Sequence, residues 1–215
     1  RMDRNIGRVL NTLRETDKLD NTAIFFLSDN GACPDSKDRS TVKGSMPWEV
    51  TSYLTQGKAW ANASNTPYRY YKTTDYEGGI RTPMIACWPE KIPAGSMTDF
   101  PGHLIDFMPT FLELAGESEA SELPGQSLVP VLQGEKVGDP RTLFWQFGTA
   151  RAIRDGDWKA VQKGKEPWEL YDLANDPVEV QDLSKSETQR LANLKSDWSS
   201  WWETKRIKPV LEKLP

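Results

Sequence analysis

Three oxygen-bearing side chains stand in a row in this sequence, Ser28-Asp29-Asn30, and Gly31 closes them off. They follow Ala23–Leu27, a short apolar run containing two phenylalanines. A run of that length between turn formers reads as a strand buried on both faces of a mostly parallel sheet. Ligands in open α/β sheets gather beyond the carboxyl ends of strands, so these oxygens are candidates for a binding site. The competing reading is an Asp-Asn-Gly chain reversal, and on these residues alone the turn is the stronger of the two. A second candidate is Lys72, which sits in a cluster with Arg69 and Arg81 and shortly precedes Gly78-Gly79. Such a glycine pair lets the backbone turn tightly or approach a ligand. Taken alone, a lysine is usually a solvated surface charge. Cys33 and Cys87 are the only cysteines and His103 the only histidine, too few and too scattered for a zinc site. Both thiols are expected to be unpaired.

The elements that must position these residues follow from periodicity. Met2, Ile6, Val9, Leu10 and Leu13 fall at helical spacing, which predicts a helix over residues 3–16 with one apolar stripe. A polar link then leads into the Ala23–Leu27 strand. Residues 31–67 show no sustained period and read as a long loop; its aromatics Trp48, Tyr53 and Trp60 argue against plain disorder, with Trp48 and Trp60 either lining a cleft or pinning it to the body. Asn62-Ala63-Ser64 is a sequon, a weak signal. Met84–Trp88 reads as a second buried strand. Asp106 is the expected N-cap of a helix over Phe107–Ala115, ended by Gly116. Residues 117–142 are a connection with a short apolar segment at Leu128–Leu132, and a boundary is placed near Asp139-Pro140. Short strands follow at Leu143–Phe147, Arg151–Arg154, Trp158–Gln162 and Glu169–Tyr171. Asp155-Gly156 marks a hairpin and Asp176-Pro177 a further reversal. Leu191, Leu194, Trp198, Trp201 and Trp202 form the stripe of a closing helix.

A net charge of −4 over 215 residues points to neither a nucleic-acid nor a membrane surface. No apolar run reaches the length of a spanning helix. The chain opens on Arg1-Met2-Asp3, inside a helical pattern, and reads as a piece of something longer.

Taken together and in order, several blocks resemble the sulfatase family, in particular its arylsulfatase-type members. They are Ser28-Asp29-Asn30-Gly31, Trp60 through Pro67, Tyr71-Lys72 with Glu77 through Pro83, Trp88-Pro89, and His103–Asp106 through Pro109-Thr110 to Ala115-Gly116. Arg154 through Lys159, Trp168 through Leu173 and Asp176-Pro177 resemble the family's C-terminal subdomain. The resemblance implies an α/β chain in two parts. Residues 1–140 would be the C-terminal part of an alkaline-phosphatase-like mixed sheet with flanking helices. Residues 141–215 would be a small α+β subdomain, an antiparallel four-stranded sheet plus one helix.

The same resemblance implies that Asp29 and Asn30 are calcium ligands and that Lys72 contacts the sulfate of a sulfate ester, small molecule or glycan. Calcium takes hard carboxylate and amide oxygens, and an ammonium suits a sulfate oxygen. Ion and lysine would offset charge building on the sulfuryl and leaving oxygens. The family's nucleophile is a formylglycine made in a Cys/Ser-x-Pro-x-Arg block, which this sequence lacks. Cys87-Trp88-Pro89-Glu90-Lys91 approaches it but lies at the wrong end of the family order. The family's acidic pair that completes the calcium shell and its N-terminal arginine, lysine and histidine are absent too. The expected partner is therefore an N-terminal half of the same enzyme, and the chain alone is expected to be inactive and to bind calcium weakly. Thr73 and Tyr76 stand where several relatives carry histidine, and His103 reads as structural. Relatives are commonly exported to the periplasm or beyond. Two alternatives stand beside this reading: a phosphatase or phosphodiesterase of the same superfamily, and a non-catalytic fragment that binds sulfated ligands. A fragment of this kind is also expected to expose sheet surface.

Overall fold

Alternation and turn chemistry give the C-terminal sheet its form. The computed structural model describes residues 1–117, 123–135, 137–138 and 141–205. β3 (Leu143–Phe147), β4 (Ala150–Asp155), β5 (Trp158–Gln162) and β6 (Glu169–Asp172) pair in chain order, all antiparallel. Asp155 pairs with Trp158 across a two-residue loop whose Gly156 has φ +57°, the positive value that tight hairpin turns demand. α6 (Thr188–Lys205) covers one face. Its Leu194 and Trp198 pack with Ile153, Ala160 and Leu170, and Trp198 Nε1 donates to Trp145 O at 3.1 Å. The other face carries Ala152, Val161 and Tyr171 packed with Tyr76 and Leu173. Strand alternation thus feeds two cores from one sheet.

The chain resolves into two units. The first holds Arg1–Asp29 and Pro83–Pro140; the second holds Asn30–Thr82 and the chain from Arg141 on. Residues 30–82, which the sequence reading grouped with the first 140, therefore pack with the C-terminal sheet. The boundary at Asp139-Pro140 lies outside the described residues.

In the first unit, α1 (Met2–Glu15) precedes β1 (Ile24–Leu27), which pairs with β2 (Met84–Cys87). The pairing is antiparallel, not parallel, and the strands are not buried on both faces. The physical reason lies in the partners: among the described residues β1 and β2 form a two-stranded ribbon, with no further strand beside them. Phe25 meets Phe107 and Phe111 of α4 (Phe107–Leu114) edge-on, at 5.4 and 5.8 Å between ring centroids. The opposite face leaves Phe26 and Ile85 45% and 64% exposed, with Cys87 also exposed. Both cysteines are free, and Cys87 is not in a buried strand as the sequence suggested.

Asp106 does not cap α4 with its side chain. It ends a preceding 3₁₀ turn (Leu104–Asp106), where His103 Nδ1 accepts from the Ile105 amide and Asp106 Oδ2 accepts from the His103 amide at 2.7 Å. Asp106 Oδ1 also accepts from the Gln126 amide, while Thr110 Oγ1 accepts from the Leu128 amide. These bonds satisfy buried polar groups and tie α4 to the segment entering α5 (Val129–Leu132). Gly116 follows α4 at φ +80°, the left-handed end that favours glycine.

In the second unit the region 31–67 is more ordered than its composition implied. It contains α2 (Gly57–Ser64) and a pair of antiparallel arms around the Asp38–Leu54 bridge. Trp48 and Trp60 are 72% and 70% exposed, so neither pins the region to the body. No described helix is long and apolar enough to cross a membrane.

Candidate active site

A pocket of about 200 Å³ opens in the second unit, lined by Asn30, Lys72, Thr73, Thr74, Asp75, Gly79 and Ile80, with Trp145, Gln146 and Phe147 from β3. Two of the three candidate residues thus share one cavity although they are distant in sequence. Asn30 is half-buried, and its Nδ2 donates to Gly31 O at 3.2 Å. Lys72 is half-buried, its amide donates to Ala32 O at 3.1 Å, and its ammonium has no hydrogen bond or ion pair among the described residues. Asp29 is exposed and lies in the first unit.

The glycines explain how these segments meet. The Gly31 amide donates to Gly79 O at 2.9 Å, and the Gly78 amide to Arg69 O at 2.9 Å. A Cβ on Gly31 would lie 1.8 Å from Gly78 O, and one on Gly79 would lie 2.0 Å from Thr74 O. The close approach that Gly78-Gly79 permits is therefore to the protein's own backbone. Asn65 fastens the crossing further, accepting from the Ala32 amide at 3.0 Å and donating to Tyr70 O at 2.9 Å.

Backbone strain is concentrated beside Lys72. Tyr70 has φ +61° and Thr73 φ +77°, left-handed values that bulky and β-branched residues rarely adopt. Each such residue costs on the order of 1–3 kcal/mol and persists only where its surroundings enforce it.

Next along the chain, Asp75 is buried at 4% exposure, with no hydrogen-bond partner for Oδ2 among the described residues. Burial pushes its pKa up to about 6 even though the Lys159 charge pulls the other way. Beyond it, Glu77 opens the helical turn α3 (Glu77–Ile80) inside a buried ion cluster. Lys159 on β5 is fully buried, with Nζ 2.7 Å from Glu77 Oε1 and 2.7 Å from Glu179 Oε1. Glu179 Oε2 accepts from the Glu77 amide at 2.8 Å, and Arg81 reaches Glu77 Oε2 at 3.6 Å.

Burial alone would lower the lysine's pKa, but Glu179 and Glu77 outweigh it and hold it above its usual value. Burial likewise works to raise Glu77, yet Lys159, Arg154 and Arg81 keep it low. Glu179 lies high, because burial and the Glu77 charge together exceed the pull of Lys159. A second tie runs through Arg69, whose Nη1 donates to Tyr171 Oη at 2.6 Å and to Glu179 O at 2.8 Å, with its guanidinium 4.9 Å from the Tyr76 ring centre.

Sequence reasoning missed the Glu77–Lys159–Glu179 cluster. Its one visible signal is a lysine embedded in an otherwise apolar strand, between Trp158 and Ala160-Val161. The first candidate pair, Asp29 and Asn30, offers one carboxylate and one amide oxygen. Among the described residues no group of three or more His, Cys, Asp or Glu side chains could hold a metal.

The sulfatase family profile matches residues 1–117, and the profile of the C-terminal region of N-sulphoglucosamine sulphohydrolase matches residues 67–200. The chain belongs to the sulfatase family, within the alkaline-phosphatase-like class. An uncharacterized sulfatase of Schizosaccharomyces pombe is 33% identical over 232 residues, covering 92% of this chain and 40% of its own length. Ps i-CgsB, solved in complex with k-i-k-neocarrahexaose, aligns with TM-score 0.73 at 30% identity, over 93% of this chain and 40% of that one. A protein solved in complex with its substrate D-glucosamine-2-N,6-O-disulfate aligns with TM-score 0.66 at 25% identity, over 98% of this chain and 40% of that one. This chain therefore spans less than half the length of these relatives.

Proposed function

We propose that this chain is the C-terminal portion of a sulfuric ester hydrolase and that its pocket binds the sulfate group of a small-molecule or glycan sulfate ester. The observation that carries this reading is the meeting of Asn30 and Lys72 in one cavity, with no hydrogen bond or ion pair to the lysine ammonium among the described residues. Such a point charge with three mobile donors can hold a sulfate oxygen and oppose the negative charge that grows there as the ester breaks. Ile80, Trp145 and Phe147 give the pocket apolar surface for the organic part of the ester.

Asp29 and Asn30 fit two positions of a calcium shell by donor chemistry, and the remaining ligands would come from outside this chain. Bound there, calcium would supply further charge neutralisation at the sulfate. The nucleophile, a formylglycine, would likewise come from an N-terminal segment of the full-length enzyme. His103, the histidine of this sequence, is engaged in a 3₁₀ cap, which favours the sulfatase reading over a zinc phosphatase built on these residues.

The test is turnover of an aryl sulfate by the full-length enzyme and its variants Lys72→Ala and Asp29→Ala. Each is expected to lower kcat/KM by at least about a hundredfold, as loss of one transition-state contact does. Near-normal turnover in both would remove these residues from the mechanism.

A further inference from the structure

The Lys72 loop poses a mechanical problem. It carries Tyr70 and Thr73 in left-handed conformations on either side of the lysine, so it relaxes unless something rigid holds it. Its backbone bonds run mostly within the pocket segments themselves: Lys72 to Ala32, Gly78 to Arg69, and Gly31 to Gly79. A rigid external reference comes from β5. Lys159 reaches across to Glu77, two residues before Gly79 O receives the Gly31 amide, and the same lysine grips Glu179, whose other oxygen takes the Glu77 amide. Glu77 is thus fixed at side chain and backbone together, by groups that are fully or almost fully buried. Fold stability alone does not require three buried charges, since apolar side chains of similar volume often serve it as well or better. Directional bonds do offer something apolar packing lacks, a defined position for one peptide.

We propose that Lys159 is a positioning residue of the pocket. Acting with Glu179 through Glu77, it fixes the turn that presents Lys72 and the backbone crossing that presents Asn30. The proposal rests on the reading of this pocket as the sulfate site. Catalysis in this enzyme therefore depends on a sheet residue that touches no substrate.

The experiment uses the full-length enzyme and compares wild type with Lys159→Met/Glu179→Leu, which removes one charge of each sign and leaves Glu77 to Arg81 and Arg154. Three quantities are read: Tm, amide hydrogen exchange over residues 71–81 well below Tm, and kcat and KM for an aryl sulfate. The expected result is a folded variant with faster exchange at Lys72, Gly78 and Gly79, and kcat lower by at least about tenfold against a smaller change in KM. Exchange and kcat both at wild-type values in the folded variant would show that the cluster only stabilises, and would overturn the proposal.

Should the double variant not fold, Glu179→Gln keeps the shape and an acceptor for the Glu77 amide while weakening the grip on Lys159. It is expected to show the same two changes in smaller measure, and its indifference in both would be equally fatal. If the wild-type enzyme turns over no sulfate ester, the sulfatase reading fails. The exchange comparison then decides the positioning role by itself: faster exchange over 71–81 supports it, and unchanged exchange overturns it.

Discussion

Asp75→Asn is the substitution whose effect the structure fixes most fully. Asp75 is buried, its Oδ2 lacks a hydrogen-bond partner among the described residues, and its pKa rises from the usual 3.8 to about 6, with burial the larger cause and Lys159 opposing. Below pH 3.8 the carboxyl is protonated in both folded and unfolded chains and contributes no pH dependence. Between 3.8 and about 6 the unfolded chain releases the proton while the folded one keeps it, so rising pH erodes stability. Above about 6 the loss is complete. A shift of roughly two units corresponds to about 3 kcal/mol. Asparagine has the same shape and no charge to bury, so the stability difference between variant and wild type should rise by about 3 kcal/mol in the variant's favour from pH 3.5 to pH 8. Urea unfolding followed by tryptophan fluorescence, in the presence of a chelator, measures that difference at each pH. Taking the difference cancels the other titrating groups and any constant cost of the amide. A flat difference across this range would refute the account of Asp75 as a buried carboxyl whose ionisation opposes folding.

Two further substitutions probe the packing. Gly31→Ala places a methyl 1.8 Å from Gly78 O and should cost about 2 kcal/mol or more in urea unfolding, because only backbone movement relieves the clash. Gly7→Ala, in the α1 helix with nothing within 4 Å, should instead stabilise by about 0.5–1 kcal/mol and serves as its control. Trp198→Ala removes a side chain that is 3% exposed, stacks on Trp202 at 5.7 Å and bonds Trp145 O. Its expected cost is about 3–5 kcal/mol, read from the shift of the urea midpoint at unchanged slope.

The C-terminal sheet could be read from sequence because its information is local. Each strand is a short stretch rich in apolar and aromatic residues, turn residues separate them, and successive strands pair with one another. β1 and β2 were found as elements, but their direction and exposure were not. Those properties depend on which strands and helices lie alongside, and no pattern inside Ile24–Leu27 encodes that. Helix α2 was hidden for a different reason: its Ala-rich stretch sits in a region dominated by turn formers. That the Asp106 side chain turns back to the His103 amide of a preceding 3₁₀ turn, and not forward into α4, depends on a reach over a single turn that residue type alone does not decide. At the pocket, the sequence supplied Asn30, Lys72 and the glycine pair as candidates. It could not supply their neighbours from β3, nor the partners of Lys159, because Glu77 and Glu179 reach that lysine from opposite directions along the chain.

Because residues 30–82 are built into the same unit as the chain from Arg141 on, the natural crossover points for recombining this protein with a relative are not where its elements change character. A chimera that exchanged only the four-stranded sheet and its helix would separate Glu77 from its native partners, Lys159 and Glu179. Hybrids that inherit both segments from one parent keep that match, and libraries built by shuffling should be rich in them among their active members.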